Sequence, residues 1–174
     1  MMKLWRCEIC GDSFIADEPV ICPFCGAHKS FVKEAKDAKV DFNVELNEKE
    51  KSNAGKALEL EISNSEFYFC AAEKTDNEED KPLFRALGGV EAEHVSIWRK
   101  ILKLDKIKLG EGQCCGSYRT NLEESHNREE MAIKFYREAA RESENAFVRK
   151  IFGALVQVES DHLKLAEERL KISK

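Results

Sequence analysis

Two Glu-x-x-His units, Glu91-Ala92-Glu93-His94 and Glu159-Ser160-Asp161-His162, and two Cys-x-x-Cys-Gly units, Cys7-Glu8-Ile9-Cys10-Gly11 and Cys22-Pro23-Phe24-Cys25-Gly26, carry the chemistry of this sequence. On a helix, three residues correspond to about 300° of rotation and about 4.5 Å of rise, so the glutamate and histidine of each unit leave from one face. Val90 and Val158 precede the two glutamates, and Leu87 and Leu155 lie one turn earlier, which makes that face apolar and core-directed. A carboxylate buried beside an imidazole is costly unless positive charge compensates it, and a divalent or trivalent metal is the simplest source. A lone unit of this kind in a glutamate-rich chain reads as a solvated, salt-bridged face. Two units in register with an internal repeat read as ligands.

That repeat has a period of 68 residues. It superposes Glu61 on Glu129, Phe67-Tyr68 on Phe135-Tyr136, and Ala71-Ala72 on Ala139-Ala140. Further along, Phe84, Ala86, Leu87 and Val90 fall on Phe152, Ala154, Leu155 and Val158, and Glu91 and His94 fall on Glu159 and His162. The resulting set is Glu61, Glu91, His94, Glu129, Glu159 and His162: one glutamate from each of two helices and a Glu-x-x-His from each of two others. This is the di-iron carboxylate pattern of helical bundles. Four carboxylates and two imidazoles suit iron or manganese better than thiophilic metals. Glu59, Glu66, Glu124 and Glu130 are rival ligands that the repeat does not pair. Tyr68 and Tyr136 lie seven residues beyond Glu61 and Glu129, on the same faces; they read as hydroxyl donors to the ligand carboxylates or as plain core aromatics. Glu93 and Asp161 point about 100° away from their histidines and read as solvated.

The two cysteine units are separated by eleven residues. Paired thiolates on tight turns converge on a tetrahedral site at Cys7, Cys10, Cys22 and Cys25 that suits one iron or zinc, and spacing alone does not separate the two. Gly11 and Gly26 permit backbone N–H groups to approach the sulfurs. A module of this size cannot bury enough core alone, so the metal acts as its staple. Cys70, nine residues past Glu61, falls on the opposite face and reads as packing; Cys114-Cys115, in the Gly-rich crossover, read as free loop thiols, with redox-active or metal-coordinating thiols as the alternatives, and His28 has no assigned role.

The elements that must position these residues follow from composition and periodicity. The chain has 174 residues and a net charge of −5, which argues against a nucleic-acid partner. With no apolar leader at the N-terminus and no long apolar run, the expectation is a soluble, cytoplasmic protein without a membrane partner, in which seven cysteines serve metal rather than disulfides. Residues 1–30 form the four-cysteine module, residues 31–52 a charged linker, and residues 53–174 a helical bundle. Helices are expected near 53–76, 81–104, 120–143 and 145–172. Asp80 with Pro82 opens the second, and Thr120-x-x-Glu123 makes a capping box for the third. Short connections make each pair a hairpin, and the Gly-rich stretch from Asp105 to Arg119 is long enough to run the length of the bundle. Two up–down hairpins joined by one crossover is the ferritin-like arrangement.

Together these segments resemble the rubrerythrin family. Leu4-Trp5-Arg6-Cys7 through Cys25-Gly26 resembles a short rubredoxin-type domain, and residues 53–172 resemble the ferritin-like di-iron bundle. Their order is the reverse of the usual one, as in "reverse rubrerythrin" relatives. The implied fold is an all-α ferritin-like four-helix bundle with a small N-terminal rubredoxin-like β-knuckle. The resemblance implies two iron ions in the bundle, one iron in the four-cysteine site, and reduction of hydrogen peroxide to water. Electrons would come from an NAD(P)H-linked reductase or a rubredoxin, in a homodimer where one subunit's knuckle lies near another's bundle. The family's additional glutamate, three residues after the helix C ligand, is replaced here by Ala132, with Asn64 at the symmetric position; His126, three residues before Glu129, is a substitute for it or a solvent-exposed histidine. Alternative readings are an oxidase acting on Fe(II) or O2, a non-catalytic iron or zinc carrier, and a knuckle that docks a protein partner.

Overall fold

A computed structural model describes residues 1–172. At the N-terminus, β1 (Lys3–Cys7), β2 (Ser13–Ala16) and β3 (Val32–Glu34) form an antiparallel sheet in the order β2-β1-β3. The third strand lies inside the stretch expected as linker. Val32 pairs with Cys7, so the sheet uses this segment to close over the first cysteine turn. The irregular connection therefore runs from Ala35 to Asn47.

The bundle consists of α1 (Glu48–Lys74), α2 (Lys81–Ile101), α3 (Tyr118–Glu142) and α4 (Ala146–Ile172). α1 starts five residues ahead of its expected position because Asn47 and Glu50 make a reciprocal capping box. The other Glu50 oxygen accepts from the Asn145 amide at 2.7 Å, tying the start of α1 to the α3–α4 turn. α3 begins at Tyr118 with Ser117 as its cap, accepting from the Thr120 amide. Thr120 thus lies inside the first turn, and the expected Thr120–Glu123 box does not form. Asn145 caps α4 by accepting from the amides of Phe147 and Val148. Asp80 precedes α2, where Pro82 fits the first turn without needing a side-chain cap.

α1 packs along α2 and α3 along α4, and the two hairpins close on each other through α1 and α3, which is the ferritin-like arrangement. The 68-residue repeat is visible in the packing. Tyr68 stacks near Phe84 at 6.3 Å, and Tyr136 lies 5.8 Å from Phe152. The buried face of α1 carries Ala54, Ala57, Leu58, Glu61, Ser65, Tyr68 and Ala72, a stripe at spacings of three and four with one carboxylate at its centre.

The crossover from Leu102 to Ser117 has no helix or strand and lies as a strap along α1. The Gly110 amide donates to the Glu66 carboxylate, the Asp76 amide donates to the Gly116 carbonyl, and the Tyr118 amide donates to Asp76. Cys70 and Cys114 form a disulfide with a Cα–Cα distance of 5.8 Å. This corrects the reading of Cys70 as packing and of Cys114 as a free thiol. Cys70 does face away from Glu61, and that is the face on which the strap lies. Cys115 is free and exposed.

Candidate metal centres

The middle of the bundle brings Glu61, Glu91, His94, Glu129, Glu159 and His162 together. Glu61, Glu91, His94 and Glu159 offer ligand atoms that all lie within 4.8 Å of one another, and so do Glu91, Glu129, Glu159 and His162. Glu91 and Glu159 belong to both groups, so two positions share two carboxylates and each end has its own glutamate and histidine. His94 Nδ1 lies 2.9 Å from Glu91, 3.3 Å from Glu159 and 3.4 Å from Glu61. His162 Nδ1 lies 3.1 Å from Glu91 and 3.0 Å from Glu159. Nδ1 is therefore the nitrogen that each ring turns inward.

The four glutamates and His94 are fully buried, whereas the His162 side chain keeps 10% of its surface. The exposed part is not the inward Nδ1, which is buried, so of the six side chains only an outer edge of His162 touches solvent. Burial pushes the carboxyls of Glu61 and Glu129 well above the usual carboxylate range. Burial also opposes ionisation of Glu91, but the imidazoles of His162 and His94 beside it win and hold it below that range. Burial disfavours charged imidazoles, yet the surrounding carboxylates raise both His94 and His162 well above the ordinary value. Glu61 Oε2, Glu91 Oε1, Glu129 Oε2, both Glu159 oxygens and His162 Nδ1 have no hydrogen-bond partner. A cluster of buried acceptors, otherwise compensated only by protons, fits a pair of metal ions.

Two tyrosines hold the outer glutamates. The Tyr68 hydroxyl donates to Glu129 and the Tyr136 hydroxyl donates to Glu61, each reaching across from the other hairpin. Ser125 Oγ lies 2.7 Å from the Tyr68 oxygen. Burial, reinforced by the adjacent carboxylates, raises both phenols well above their ordinary value, so they remain donors. Of the two readings of these tyrosines, the structure selects hydrogen bonding to the candidate ligands. Their seven-residue offset and their pairing in the repeat are the sequence signal.

The four cysteine sulfurs likewise lie within 4.8 Å of one another and are at most 1% exposed. The pairs Cys7–Cys25 and Cys10–Cys22 stand at 3.7 and 3.8 Å. The shared hydrogen bond raises Cys10 far above the ordinary thiol range and lowers Cys22 far below it. Four such thiols cannot all ionise without a cation between them, which is the environment a metal supplies. The Ile9 amide points at Cys7 Sγ at 3.4 Å. Gly11 and Gly26 instead donate to the carbonyls of Cys7 and Cys22 and take positive φ, +87° and +71°. Gly26 also sits against the bundle: a Cβ there would meet Val158 at 3.0 Å and Val90 at 3.7 Å, the residues that precede Glu159 and Glu91.

The two clusters are joined by a hydrogen bond that nothing in the sequence signalled. His94 Nε2 donates to the Cys25 carbonyl at 3.0 Å, within one chain. Lys100 Nζ donates to the Cys10 carbonyl at 2.8 Å, and Lys150 lies 3.3 Å from Glu8. His28, to which the sequence assigned no role, pairs with Asp161 at 2.6 Å. Glu93 is not solvated as expected: it is half-buried beside Asp12 and Lys100, and burial together with Asp12 raises its pKa to about 7. His126 lies 3.7 Å from Glu167 and belongs to neither metal group, so it does not stand in for the missing glutamate. Ala132 is fully buried and Asn64 nearly so.

No helix of the described residues is long and apolar enough to cross a membrane. Compared with known proteins, the chain matches the family model Rubrerythrin over residues 53–170. No curated protein matches it significantly.

Proposed function

The chain belongs to the rubrerythrin family, and from that premise we propose that it is a non-haem di-iron oxidoreductase that reduces hydrogen peroxide to water, fed with electrons through an iron held by Cys7, Cys10, Cys22 and Cys25. The observation that carries this reading is the His94–Cys25 hydrogen bond, which leaves one imidazole between a candidate four-thiolate centre and a candidate metal pair. Glu61, Glu91, His94 and Glu159 would hold one ion and Glu91, Glu129, Glu159 and His162 the other. Bound there, two reduced irons supply the two electrons that split an O–O bond.

The chain's own contribution is positioning. Donation from Nε2 to the Cys25 carbonyl fixes the His94 tautomer and leaves Nδ1 for the metal. The Tyr68 and Tyr136 hydroxyls keep Glu129 and Glu61 oriented when iron changes charge. Burial of five of the six side chains excludes bulk water, and the outer edge of His162 is where the set comes nearest to solvent. Val20, Ile21 and Phe24, exposed beside Cys22, offer an apolar landing surface to an electron-donor protein such as a rubredoxin or an NAD(P)H-linked reductase.

Ala132 supports a second reading, oxidation of Fe(II) or reduction of O2 at the same pair, because the redox-exchanging glutamate of the family has no counterpart here. Anaerobic rapid mixing of the fully reduced, iron-loaded protein with peroxide or with O2 separates the two. Faster oxidation by peroxide, with the four-thiolate absorption following the bundle irons, is the expected result. Oxidation by O2 alone supports the second reading, and a protein that holds iron but oxidises with neither is a carrier.

A further inference from the structure

The Cys70–Cys114 bond lies apart from both metal clusters and serves neither. A four-thiolate knuckle can be loaded only where thiols stay reduced, and in such surroundings a disulfide elsewhere in the same chain is one that forms and breaks. The structure provides for breaking it. Cys70 is 6% exposed and shielded on α1, but Cys114 is only partly buried, so its sulfur is the one an incoming thiolate can attack. Cys115 presents a free, exposed thiol next to it, with Sγ 3.4 Å from Asn121 Oδ1. The segment that would move is the strap, which has no secondary structure and which meets the first hairpin through the Gly110 amide on the Glu66 side chain and, just past α1, the Asp76 amide on the Gly116 carbonyl.

We propose that Cys70 and Cys114 are a reversible, peroxide-oxidised dithiol, a second redox site that fastens the crossover strap to α1 when oxidised and frees it when reduced. In the oxidising direction the Cys114 thiolate attacks one oxygen of hydrogen peroxide, the O–O bond breaks, and a sulfenic acid and hydroxide form. The Cys70 thiolate then displaces the second hydroxide from sulfur, closing the S–S bond; the two hydroxides take up the two protons the thiols gave up, so the balance is two thiols and one peroxide to one disulfide and two waters. In the reducing direction a dithiol attacks Cys114, releases Cys70 as thiolate, and leaves as its own cyclic disulfide.

The test uses the full-length, zinc-loaded chain, whose metals take no electrons, so a result here is independent of the di-iron reading. The protein is equilibrated natively with ratios of reduced to oxidised dithiothreitol, then alkylated in denaturant, peptide-mapped and assayed for zinc. The expected result is reversible gain and loss of the Cys70–Cys114 cross-linked peptide at constant zinc content, with re-formation of the link on adding hydrogen peroxide. In Cys70→Ser, dimedone is expected to trap a sulfenic acid at Cys114, and Cys115→Ser is expected to leave the wild-type link intact. A link that resists dithiothreitol until the protein is unfolded, a Cys114–Cys115 pairing, or peroxide oxidation that never joins Cys114 to Cys70 would each overturn the proposal.

Discussion

At the scale of single residues, the decisive feature is the proton affinity that the buried carboxylates give the two imidazoles. Four buried carboxylates surround two imidazoles whose proton affinity is raised well above normal by those same carboxylates. Metal must displace the protons, so loading is expected to release at least one proton from each of His94 and His162 and to weaken as pH falls toward the acid range. Metal titration in weakly buffered solution with a pH indicator measures the release; uptake without protons would mean that the rings are neutral beforehand. Tyr68→Phe and Tyr136→Phe each remove one hydroxyl from an outer glutamate and are expected to lower metal affinity by roughly 10–100-fold without unfolding the bundle. Competition with a chelator reads this, and unchanged affinity in both variants would reduce the tyrosines to packing. All six bundle candidates were legible because duplication wrote the pattern twice. The His94–Cys25 bond was not, since a backbone carbonyl has no residue identity and its partner lies 69 residues away.

At the scale of elements, the helices were legible to within a few residues and their ends were not, because apolar periodicity marks where a helix packs rather than where it is capped. α1 is the clearest case: its first turn, Glu48 to Lys51, is charged and reads as linker, yet Asn47 and Glu50 satisfy its amides. Asn47→Ala is expected to cost about 1 kcal/mol in denaturant unfolding. The strap was legible as a crossover but not as a seated one. A Cβ on Gly112 would stand 1.9 Å from the Glu66 carbonyl oxygen, so any side chain there must lift the strap off α1. Gly112→Ala is expected to destabilise by roughly 1–3 kcal/mol and to raise amide exchange in residues 108–116 while leaving the metal cluster intact. Exchange no faster than wild type would show that the strap is not seated at Gly112. The linker reading erred at Val32–Glu34 for a related reason: three residues suffice for an edge strand, but they carry no detectable alternation.

At the scale of the whole molecule, what matters is how the knuckle is held on the bundle, since the His94–Cys25 hydrogen bond that joins the two candidate centres exists only while the knuckle is docked. Part of that hold is a pair of carboxyls, Asp12 from the knuckle and Glu93 from α2, near the Lys100 ammonium at 3.9 and 3.7 Å. Burial and the neighbouring Asp12 carboxyl raise Glu93 to about 7, while Lys100 and His94 pull it down. A folded-state pKa above the unfolded value means that the protonated form favours docking. The contribution is complete below the unfolded pKa of about 4.5 and is lost as pH rises through about 7. Two like charges then face each other across the boundary, and the loss is on the order of 2 kcal/mol, moderated by Lys100 and partial solvent access. The linker from Ala35 to Asn47 is accordingly expected to be cut faster by a nonspecific protease at pH 8 than at pH 5.5, after correction for the protease's own pH profile. Glu93→Gln removes the titrating charge and keeps a hydrogen-bonding group, so its cleavage should vary little across that range. The same slope in wild type and variant would locate the pH sensitivity elsewhere. Electron transfer from the four-thiolate centre should follow the same curve, because the hydrogen bond it would use is made only in the docked state.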